Sequence, residues 1–518
     1  KKWFREPALP DLGSNIKCGN SLIDFDIIDH LQDLSDDERD NELNRINPFS
    51  WQEEFPDIMK VGGFDAVVGN PPYIRIQTMK EWAPVEVEHY KRVYQSASKG
   101  NYDIYVVFIE KALQLINKNG KMGYICPHKF FQAKYGQPIR EIISEGKQLD
   151  EIVHFGDIQI FDGATTYTCL FFLSNSSSTN FEFIKVNDLN AWKSGNSDIC
   201  SLAKPEDKWS FVNDTFLHNR QNTVLLKSHA HVFQGLATSA DSVYVLELIE
   251  KGKIISKVWS RELEEEIEIE NSIIYPLLKG AEILRYNEPE YENVVLFPYL
   301  IENGKAVIVS HNDLMNDYPL AYEYLERNKD RLLKRSKVDP KTYWHYPYPK
   351  NLIRYNLPKI MVQVLSSKAS FTLDTTGKYY FLGGGTAGGN AICLKSEIPE
   401  SFMYILGMMN SSVLTYFVKQ IGSSFRGGYF SFGKGSIGEF PIRTINFDDP
   451  NDKARHDKMV KLVERMLKLH KDVKEASTPD AETRVQRQIE AADREIDGLV
   501  YELYGLTEEE VRIVEGEN

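Results

Sequence analysis

An apolar segment, Phe64–Gly69, runs directly into Asn70, Pro71, Pro72 and Tyr73, and this junction constrains the fold more than any other feature of the chain. The segment predicts a buried strand, and two consecutive prolines lack the amide hydrogens that would continue it. The residue before a proline is held in an extended conformation. The sequence therefore predicts a strand that stops at a rigid loop, where open α/β sheets place their ligand crevice.

The first 213 residues alternate between strand and helix patterns. Strands are predicted at 15–18, 64–69, 120–126, 152–155 and 167–173, and a helix with apolar residues at helical spacing is predicted at 102–116. Strands that alternate with helices form a parallel or mixed sheet with helices on its faces. We therefore expect residues 1–213 to form an α/β domain that carries the 70–73 loop.

The residues of the 70–73 loop suit a reaction at an exocyclic aromatic amine, whose nitrogen lone pair is delocalised into the ring until acceptors bind its N–H groups. The side-chain carbonyl of Asn70 and the main-chain carbonyl of Pro71 are such acceptors. Pro72 restrains the Pro71 carbonyl, and preorganised acceptors cost little reorganisation in the transition state. Tyr73 offers a flat face to a base rotated out of a duplex. A strand-ending turn without chemistry is the alternative interpretation.

From residue 214 to 445 the pattern becomes irregular and rich in glycine and aromatic residues, which predicts a separate α+β domain with a helix at 319–334. The segment 326–359 contains ten Lys and Arg residues against three acidic residues, a net charge of +7, although the whole chain carries −14. Cations on phosphates hold a protein in register on DNA while other side chains read base edges. A solvated helix face is the alternative. The candidate DNA contacts in this run are Arg331, Lys334, Arg335, Lys337, Tyr343 and Trp344.

Residues 446–518 predict a helical hairpin at the C-terminus. Amphipathic helices are expected at 453–473 and 481–503, with a break at 477–479. The apolar residues of the first helix share one stripe: Met459, Leu462, Val463, Met466 and Leu469. A partner-binding coiled coil is the alternative to simple packing.

The length of 518 residues suggests about three domains at roughly 150 residues each. No apolar stretch approaches the roughly 20 residues of a bilayer span, and no signal-peptide core follows the first residues, so we expect a cytoplasmic protein without a membrane partner. Five cysteines without a Cys-x-x-Cys pair predict reduced thiols and no structural metal. The glycine-rich segment 383–389 lacks the Gly-Lys-Ser/Thr of an ATP-binding loop and predicts a turn near DNA.

With the 70–73 loop as its signature, the chain resembles the amino-methylating DNA methyltransferases, specifically the adenine-N6 branch of the Eco57I-like type IIG restriction-modification enzymes. The resemblance implies a Rossmann-like sheet in residues 1–213 that uses S-adenosylmethionine as cofactor. It also implies site-specific transfer of a methyl group to a flipped adenine of double-stranded DNA.

Three further segments resemble parts of this family. Residues 16–22, Ile-Lys-Cys-Gly-Asn-Ser-Leu, are similar to the segment that contacts the adenine of the donor, which implies a cofactor-binding role for Asn20. Residues 100–110 resemble the helix after the catalytic loop, whose aspartate, here Asp103, helps to wall the same pocket. Phe161 occupies the place of an aromatic residue on the other face of the flipped adenine. A strand-turn at Asn20, a helix start at Asp103 and a core side chain at Phe161 are the alternatives.

Residues 233–241 and 422–428 resemble the TaqI-like target-recognition domain. The resemblance implies that residues 214–445 recognise DNA, and it adds Arg426 to the candidate contacts. The C-terminal helices resemble those that close restriction specificity subunits, where they act as spacers or packing arms.

The chain departs from the family pattern ahead of Gly19. The donor loop and the strand that follows it should precede Gly19, and only eighteen residues are available there. We therefore expect a partial methyltransferase domain that depends on a missing N-terminal segment for its donor pocket. Type IIG enzymes join a nuclease to the methylase. Glu145-Gly146-Lys147 has the Glu-x-Lys pattern of metal-dependent nucleases, but no Pro-Asp partner precedes it on a hairpin. We therefore expect no nuclease in this chain.

Three other functions remain as alternatives. In the first alternative, the chain is a DNA-recognition module that needs a missing N-terminal segment or a partner for catalysis. Methylation of cytosine N4 is less favoured, because relatives with that activity usually carry Ser-Pro-Pro-Tyr at the loop. Methylation of glutamine in release factors uses Asn-Pro-Pro-Tyr as well, but those enzymes lack a large recognition domain.

Overall fold

The computed structural model describes residues 13–156, 158–161, 167–186, 189, 198–201, 209, 220–385, 387–422, 424–425 and 427–516. The chain forms two compact units, residues 1–213 and residues 214–518. The first unit is a mixed α/β structure, and the second combines several small sheets with helices.

The first unit is built on a mixed sheet. Its described strands are β1 (Phe64–Gly69), β2 (Ile116–Pro127), β3 (Leu149–His154), β4 (Thr168–Ser174), β5 (Asn180–Lys185) and β6 (Asp198–Ser201). They are ordered β1-β2-β4-β3-β5-β6 across the sheet. β1 is parallel to β2, whereas β4 is antiparallel to both β2 and β3. The carboxyl ends of β1, β2 and β3 therefore lie at one edge.

Helices flank this sheet, and α6 contributes most to the core. The described α-helices are α1 (Asp36–Ile46), α2 (Trp51–Glu54), α3 (Pro56–Lys60), α4 (Ile76–Trp82), α5 (Pro84–Val93), α6 (Tyr105–Leu115) and α7 (Gln137–Gly146). Tyr105, Val106, Val107 and Ile109 of α6 are fully buried. The predicted helix at 102–116 is thus present as α6, and the strands predicted at 120–126, 152–155 and 167–173 are present as β2, β3 and β4.

Two predictions for the first unit were wrong. Residues 16–18 form no strand, and Ile16 is 67% exposed, because no described strand pairs with this segment. β1 exists, but it is not buried, and Val68 is 84% exposed. The reason is its position, since among the described strands β1 pairs with β2 alone and forms the edge of the sheet.

The second unit contains small sheets. Its described strands are β7 (Thr223–Leu225), β8 (Ala230–Gln234), β9 (Val245–Glu250), β10 (Ile255–Ser260), β11 (Glu265–Glu270), β12 (Ile274–Leu278), β13 (Asn293–Leu296), β14 (Tyr299–Glu302), β15 (Lys305–Ile308), β16 (Lys359–Gln363), β17 (Leu365–Ser366), β18 (Phe371–Asp374), β19 (Tyr380–Phe381), β20 (Gly389–Leu394), β21 (Ser424–Phe425), β22 (Tyr429–Ser431) and β23 (Pro441–Arg443). The larger sheets have the orders β11-β10-β9-β13-β12-β19 and β18-β16-β20-β8. The pairs β14-β15 and β23-β7 and the ribbon β17-β22-β21 complete the unit.

The helices of the second unit fall into a short set and a long pair. The described α-helices are α8 (Leu226–His229), α9 (Asp241–Tyr244), α10 (His311–Asp317), α11 (Pro319–Arg327), α12 (Lys329–Leu333), α13 (Phe402–Met409), α14 (Ser412–Ile421), α15 (Lys434–Ile437), α16 (Pro450–Lys474), α17 (Pro479–Tyr504) and α18 (Glu508–Glu515). The single helix predicted at 319–334 is interrupted at Asn328, whose side-chain amide donates a hydrogen bond to the Tyr324 carbonyl.

The predicted helical hairpin is present as α16 and α17. Met459, Val463 and Met466 are fully buried on the expected stripe of α16. They share one hydrophobic cluster with Val232 of β8 and Ile360 of β16. The hairpin was predicted as a region of its own, but it packs into the core of the second unit.

Candidate active site

The 70–73 loop lies at the carboxyl end of β1, at the sheet edge where β2 and β3 also end. Pro71 is buried and Tyr73 is partly buried, whereas Asn70 and Pro72 are exposed. The loop is therefore anchored from within the unit while the Asn70 amide stays open to a ligand.

Tyr73 is held in place by the neighbouring strand and by one aromatic side chain. Its hydroxyl donates a hydrogen bond to the Ile125 carbonyl of β2 over 3.1 Å. Its ring meets that of Tyr105 edge to face, with centroids 6.4 Å apart and planes at 84°. Burial raises the pKa of Tyr73 above its usual value, so the hydroxyl remains a donor. These contacts fix the direction of the ring that was predicted to face a base.

The chain that follows the loop is paired with the segment that carries Asp103. The Ile76 amide donates to the Tyr102 carbonyl over 2.9 Å, and the Ile104 amide donates to the Ile74 carbonyl over 2.9 Å. The Asp103 carboxylate accepts a hydrogen bond from the Tyr135 hydroxyl at 3.0 Å. The structure thus brings Asp103 beside the 70–73 loop, although the two are about thirty positions apart in sequence.

Asn20 lies in a tight turn stabilised by its own side chain. Its amide donates to the Asn47 carbonyl over 2.7 Å, and its side-chain oxygen accepts from the Leu22 amide over 3.3 Å. The preceding Gly19 is required by packing, because an added Cβ would lie 2.7 Å from the Phe49 ring. Among the described residues, no hydrogen bond joins Asn20 to Asp103 or to the 70–73 loop. A shared cofactor site therefore stays a prediction.

Phe161 follows β3 in the chain and is partly buried. Its carbonyl accepts a hydrogen bond from the Gln159 side chain over 3.1 Å. In the part of the chain that the structure describes, no ring contact joins Phe161 to Tyr73, and residues 162–166 lie outside that part. The proposed sandwich of a base between these two rings therefore also stays a prediction.

Two histidines at this sheet edge were missed by the sequence analysis. His128 follows β2 and His154 ends β3, and their ring centroids lie 4.1 Å apart. Burial lowers the pKa of His128 to about 4 and that of His154 well below its usual value. Both rings are therefore neutral near neutral pH. Their position at strand ends was the available signal.

Three of the candidate DNA contacts are buried in the second unit. Arg335 donates to the carbonyls of Thr238 and Tyr343 over 2.9 and 2.5 Å. The Tyr343 hydroxyl donates to Glu326, and the Trp344 indole donates to a main-chain carbonyl. Arg335 is 7% exposed, and the two aromatic residues are 2% and 1% exposed. Their prediction as DNA contacts does not fit this structure, because internal hydrogen bonds use their polar groups.

The other candidates differ in their freedom to bind a phosphate. Arg331 lies 3.6 Å from the Glu262 carboxylate. Lys334 and Lys337 are exposed, and the Lys337 ammonium lies 5.1 Å from the centre of the Tyr348 ring. Arg426 lies outside the described residues. Among the described candidates, Lys334 and Lys337 are thus the exposed cations without an ion-pair partner.

The fold brings two of the glycine-containing segments together. The Gly383 amide donates to the Leu236 carbonyl over 2.7 Å, and the Gly235 amide donates to the Gly389 carbonyl over 3.1 Å. An added Cβ at Gly235 would lie 2.3 Å from the main chain of Leu382, so only glycine fits this approach. Gly235 and Leu236 therefore pack directly against Gly383 and Gly389, although the two segments are far apart in sequence, and Gly384 and Gly385 are exposed beside them.

The described residues contain no group of three or more His, Cys, Asp or Glu side chains arranged to hold a metal ion. None of the described helices is both long and apolar enough to cross a membrane. Cys126, Cys169 and Cys393 are buried free thiols, and Cys18 is an exposed one.

The sheet edge with its 70–73 loop lies in a part of the chain that is similar to a known protein family. Residues 9–161 match the family model described as Eco57I restriction-modification methylase. This match confirms the predicted resemblance to the Eco57I-like restriction-modification methylases, and residues 70–73, Asn20, Asp103 and Phe161 lie within it.

Individual relatives extend this similarity to most of the chain. The type II restriction enzyme and methyltransferase RM.Eco57I of Escherichia coli is 29% identical over 96% of this chain, and the chain spans 50% of that protein's length. The type II methyltransferase M.HindII of Haemophilus influenzae is 21% identical, over 81% of this chain and 82% of its own length. The type IIL restriction-modification enzyme MmeI, solved in complex with DNA, is similar in fold, with a TM-score of 0.55 and 13% identity. That similarity covers 92% of this chain and 61% of MmeI.

Proposed function

We propose that this chain is the methyltransferase and target-recognition part of a restriction-modification enzyme of type IIG, which methylates N6 of adenine in a specific DNA sequence. The observation that carries the proposal is the 70–73 loop at the carboxyl end of β1, with an exposed Asn70 amide and a Tyr73 ring anchored on β2. The type II methyltransferases among the relatives support it.

The loop residues act on the amino group of the target base. The Asn70 side-chain oxygen and the Pro71 carbonyl accept its two N–H groups, which draws the nitrogen lone pair out of the ring. Both acceptors are neutral, so neither has to gain or lose a proton to work. Tyr73 stacks on the flipped base, with its ring direction set by the hydrogen bond to Ile125.

S-adenosylmethionine, when bound, supplies the methyl group as an electrophile. The Asp103 carboxylate fits a cationic ligand with polar edges. One of its oxygens accepts a hydrogen bond from Tyr135, and no described group donates to the other, which is therefore available to the ligand. Asn20 presents an amide that can bond an adenine edge. We assign both residues to the cofactor, with Asp103 acting as an acceptor.

The second unit recognises double-stranded DNA in this proposal. Lys334 and Lys337 bind phosphates, because their ammonium groups are exposed, whereas Arg331 shares its charge with Glu262. The exposed Gly384 and Gly385 let a DNA backbone approach closely, since they carry no side chains and nothing lies within 4 Å of an added Cβ. Arg426 belongs to the same proposal through its motif alone.

A second candidate function is DNA recognition without donor binding by the chain on its own. The favouring observation is that, among the described strands, β1 pairs with β2 alone, which leaves its other backbone edge unpaired. An unpaired strand edge presents N–H and C=O groups that can pair with another strand. Catalysis then requires a partner that supplies this strand and completes the donor site.

Calorimetric titration of S-adenosylmethionine into the chain, with and without DNA, separates the two candidates. Micromolar binding together with methylated DNA supports the enzyme, and analysis of the product nucleoside distinguishes N6-methyladenine from N4-methylcytosine. Retained DNA binding without donor binding supports the recognition module. Asn70→Ala serves as the matched control, since it removes an acceptor from an exposed position.

A further inference from the structure

Tyr105 contacts both the 70–73 loop and Tyr135, the residue that binds the Asp103 carboxylate. It is fully buried on α6, and its ring packs edge to face against Tyr73 of the 70–73 loop. Its hydroxyl lies 2.8 Å from the hydroxyl of Tyr135, which in turn lies 3.0 Å from the Asp103 carboxylate. Tyr105 and Tyr135 thus connect the residue that faces the base to the residue assigned to the donor.

The direction of the hydrogen bonds follows from the chemistry of the last member. An ionised carboxylate accepts hydrogen bonds and donates none, so the Tyr135 hydroxyl must donate its one proton to Asp103. In the contact between the two tyrosines, Tyr135 therefore accepts and Tyr105 donates. The hydrogen bonds run one way, from Tyr105 through Tyr135 to Asp103.

Main-chain hydrogen bonds and the Tyr135 hydroxyl together hold the segment that contains Asp103. The segment from Ile74 to Ile76 exchanges main-chain hydrogen bonds with Tyr102 and Ile104 on either side of Asp103. The backbone pairing places Asp103 beside the loop, and the Tyr135 hydroxyl both tethers this segment and sets which way the Asp103 carboxylate points.

We propose that Tyr135, held by Tyr105, is a positioning residue that orients the Asp103 carboxylate towards the methyl donor and couples it to the 70–73 loop. This inference rests on the proposed function of the site. Tyr135 belongs neither to the loop nor to the segment before α6 that carries Asp103. It enters the site through two hydroxyl contacts, so loss of one oxygen atom separates its positioning role from its packing.

The test uses Tyr135→Phe, Tyr105→Phe and the double variant, because stability and function respond differently. Tyr135→Phe frees the Asp103 carboxylate and leaves the buried Tyr105 hydroxyl without an acceptor, which is costly. The double variant removes that unpaired hydroxyl as well, so its melting temperature returns towards that of the unchanged chain. Its donor KM stays raised about tenfold, as in Tyr135→Phe, because Asp103 remains unheld. We expect kcat to change less than KM.

Tyr102→Phe is the matched control. Tyr102 is 1% exposed and neighbours Asp103 in sequence, and its hydroxyl has no hydrogen-bond partner among the described residues. Loss of this unpaired hydroxyl should not lower the melting temperature and should leave the donor KM unchanged. A KM that recovers together with melting temperature in the double variant would show that the tyrosine pair is merely structural.

Amide hydrogen exchange gives a readout that needs no activity. Exchange at Ile76 and Ile104 should quicken in Tyr135→Phe, remain fast in the double variant and stay unchanged in Tyr102→Phe, because their hydrogen bonds flank Asp103. Unchanged exchange in Tyr135→Phe overturns the inference whether or not the chain methylates DNA. If amide exchange changes as expected but the chain methylates no DNA, even with a partner, the proposed function is contradicted and the positioning role of Tyr135 is not.

Discussion

The hydroxyl of Tyr73 donates a hydrogen bond to the main-chain oxygen of Ile125, which ties the loop after β1 to the adjacent strand β2. Because β1 is the edge strand among those described, this bond and the pairing with β2 limit how far the loop can swing. In the proposed function the Tyr73 ring stacks on a base and must keep its plane, so this hydrogen bond belongs to the proposed binding surface.

Substitutions at Tyr73 should separate the anchor from the ring. Tyr73→Phe keeps the flat face and loses one hydrogen bond, which should lower the free energy of unfolding by about 1 kcal/mol with a small effect on methylation. Tyr73→Ala removes the stacking surface and should lower kcat/KM for DNA by about tenfold to a hundredfold. Steady-state methylation of an oligonucleotide measures the activity of both variants, and urea unfolding measures the stability of Tyr73→Phe. Equal losses in the two variants would contradict a stacking role.

Asn70→Ala should abolish most methylation without destabilising the protein. Loss of one preorganised hydrogen-bonding group in an active site lowers kcat by about a hundredfold to a thousandfold. Asn70 is exposed, so the free energy of unfolding should change by no more than about 0.5 kcal/mol. Single-turnover methylation and urea unfolding provide the two numbers. Full activity in this variant would refute the assignment of the loop.

Lys334→Ala and Lys337→Ala should each weaken DNA binding to the same extent for every DNA sequence. A phosphate contact that is lost reduces the slope of log K against log salt by about one unit. Titrations at several salt concentrations measure this slope. Lys471→Ala is the control, since this exposed lysine on α16 lies outside segment 326–359. Arg335→Lys should instead lower stability and leave the slope unchanged, because Arg335 is buried.

Lys359 and Asp374 form a buried ion pair whose partners cannot be removed singly. The ammonium lies 2.6 Å from the carboxylate, and the side chains are 0% and 1% exposed. Lys359→Met leaves a buried carboxylate without its cation and should destabilise the second unit by about 3–5 kcal/mol. Adding Asp374→Asn should restore part of that loss, which denaturant unfolding can measure. A double variant as unstable as the sum of both single variants would contradict coupling.

The stability of the first unit should fall as the pH is lowered from neutral. Burial lowers the pKa of His128 to about 4, whereas an unfolded histidine titrates near 6.5. Between these values the unfolded state binds more protons, so the neutral folded form loses stability as pH falls through this window. From about pH 7.5 to about pH 5 the loss is about 2 kcal/mol for this group. His128→Asn should flatten the dependence measured by urea unfolding, and an unchanged slope would contradict it.

The cations of segment 326–359 show why some of the DNA contacts predicted from the sequence do not fit the structure. Arg327 pairs with Glu265 and Arg331 with Glu262, both from an acidic run some sixty residues earlier. Arg335 and Lys359 are buried. A net charge of +7 along a segment therefore does not give a cationic surface, because partners from elsewhere in the fold neutralise much of it.

The sequence by itself determined the features that depend on neighbours in the chain. Two prolines after an apolar segment stop β1 and create the 70–73 loop, and apolar residues at helical spacing give α6, α16 and α17. The family resemblance also followed from these local motifs, because motifs keep their residues at fixed spacing. Burial of β1 did not follow, since it depends on which strands lie on both sides.

Only the tertiary structure decided which distant groups meet. Asp103 lies beside the loop through backbone pairing, and its carboxylate is held by Tyr135, which no local pattern singles out. The same holds for Arg335, whose guanidinium binds carbonyls supplied by other segments. Hydrogen-bond partners of buried polar groups are chosen by proximity in space, whereas periodicity and proline stereochemistry act along the chain.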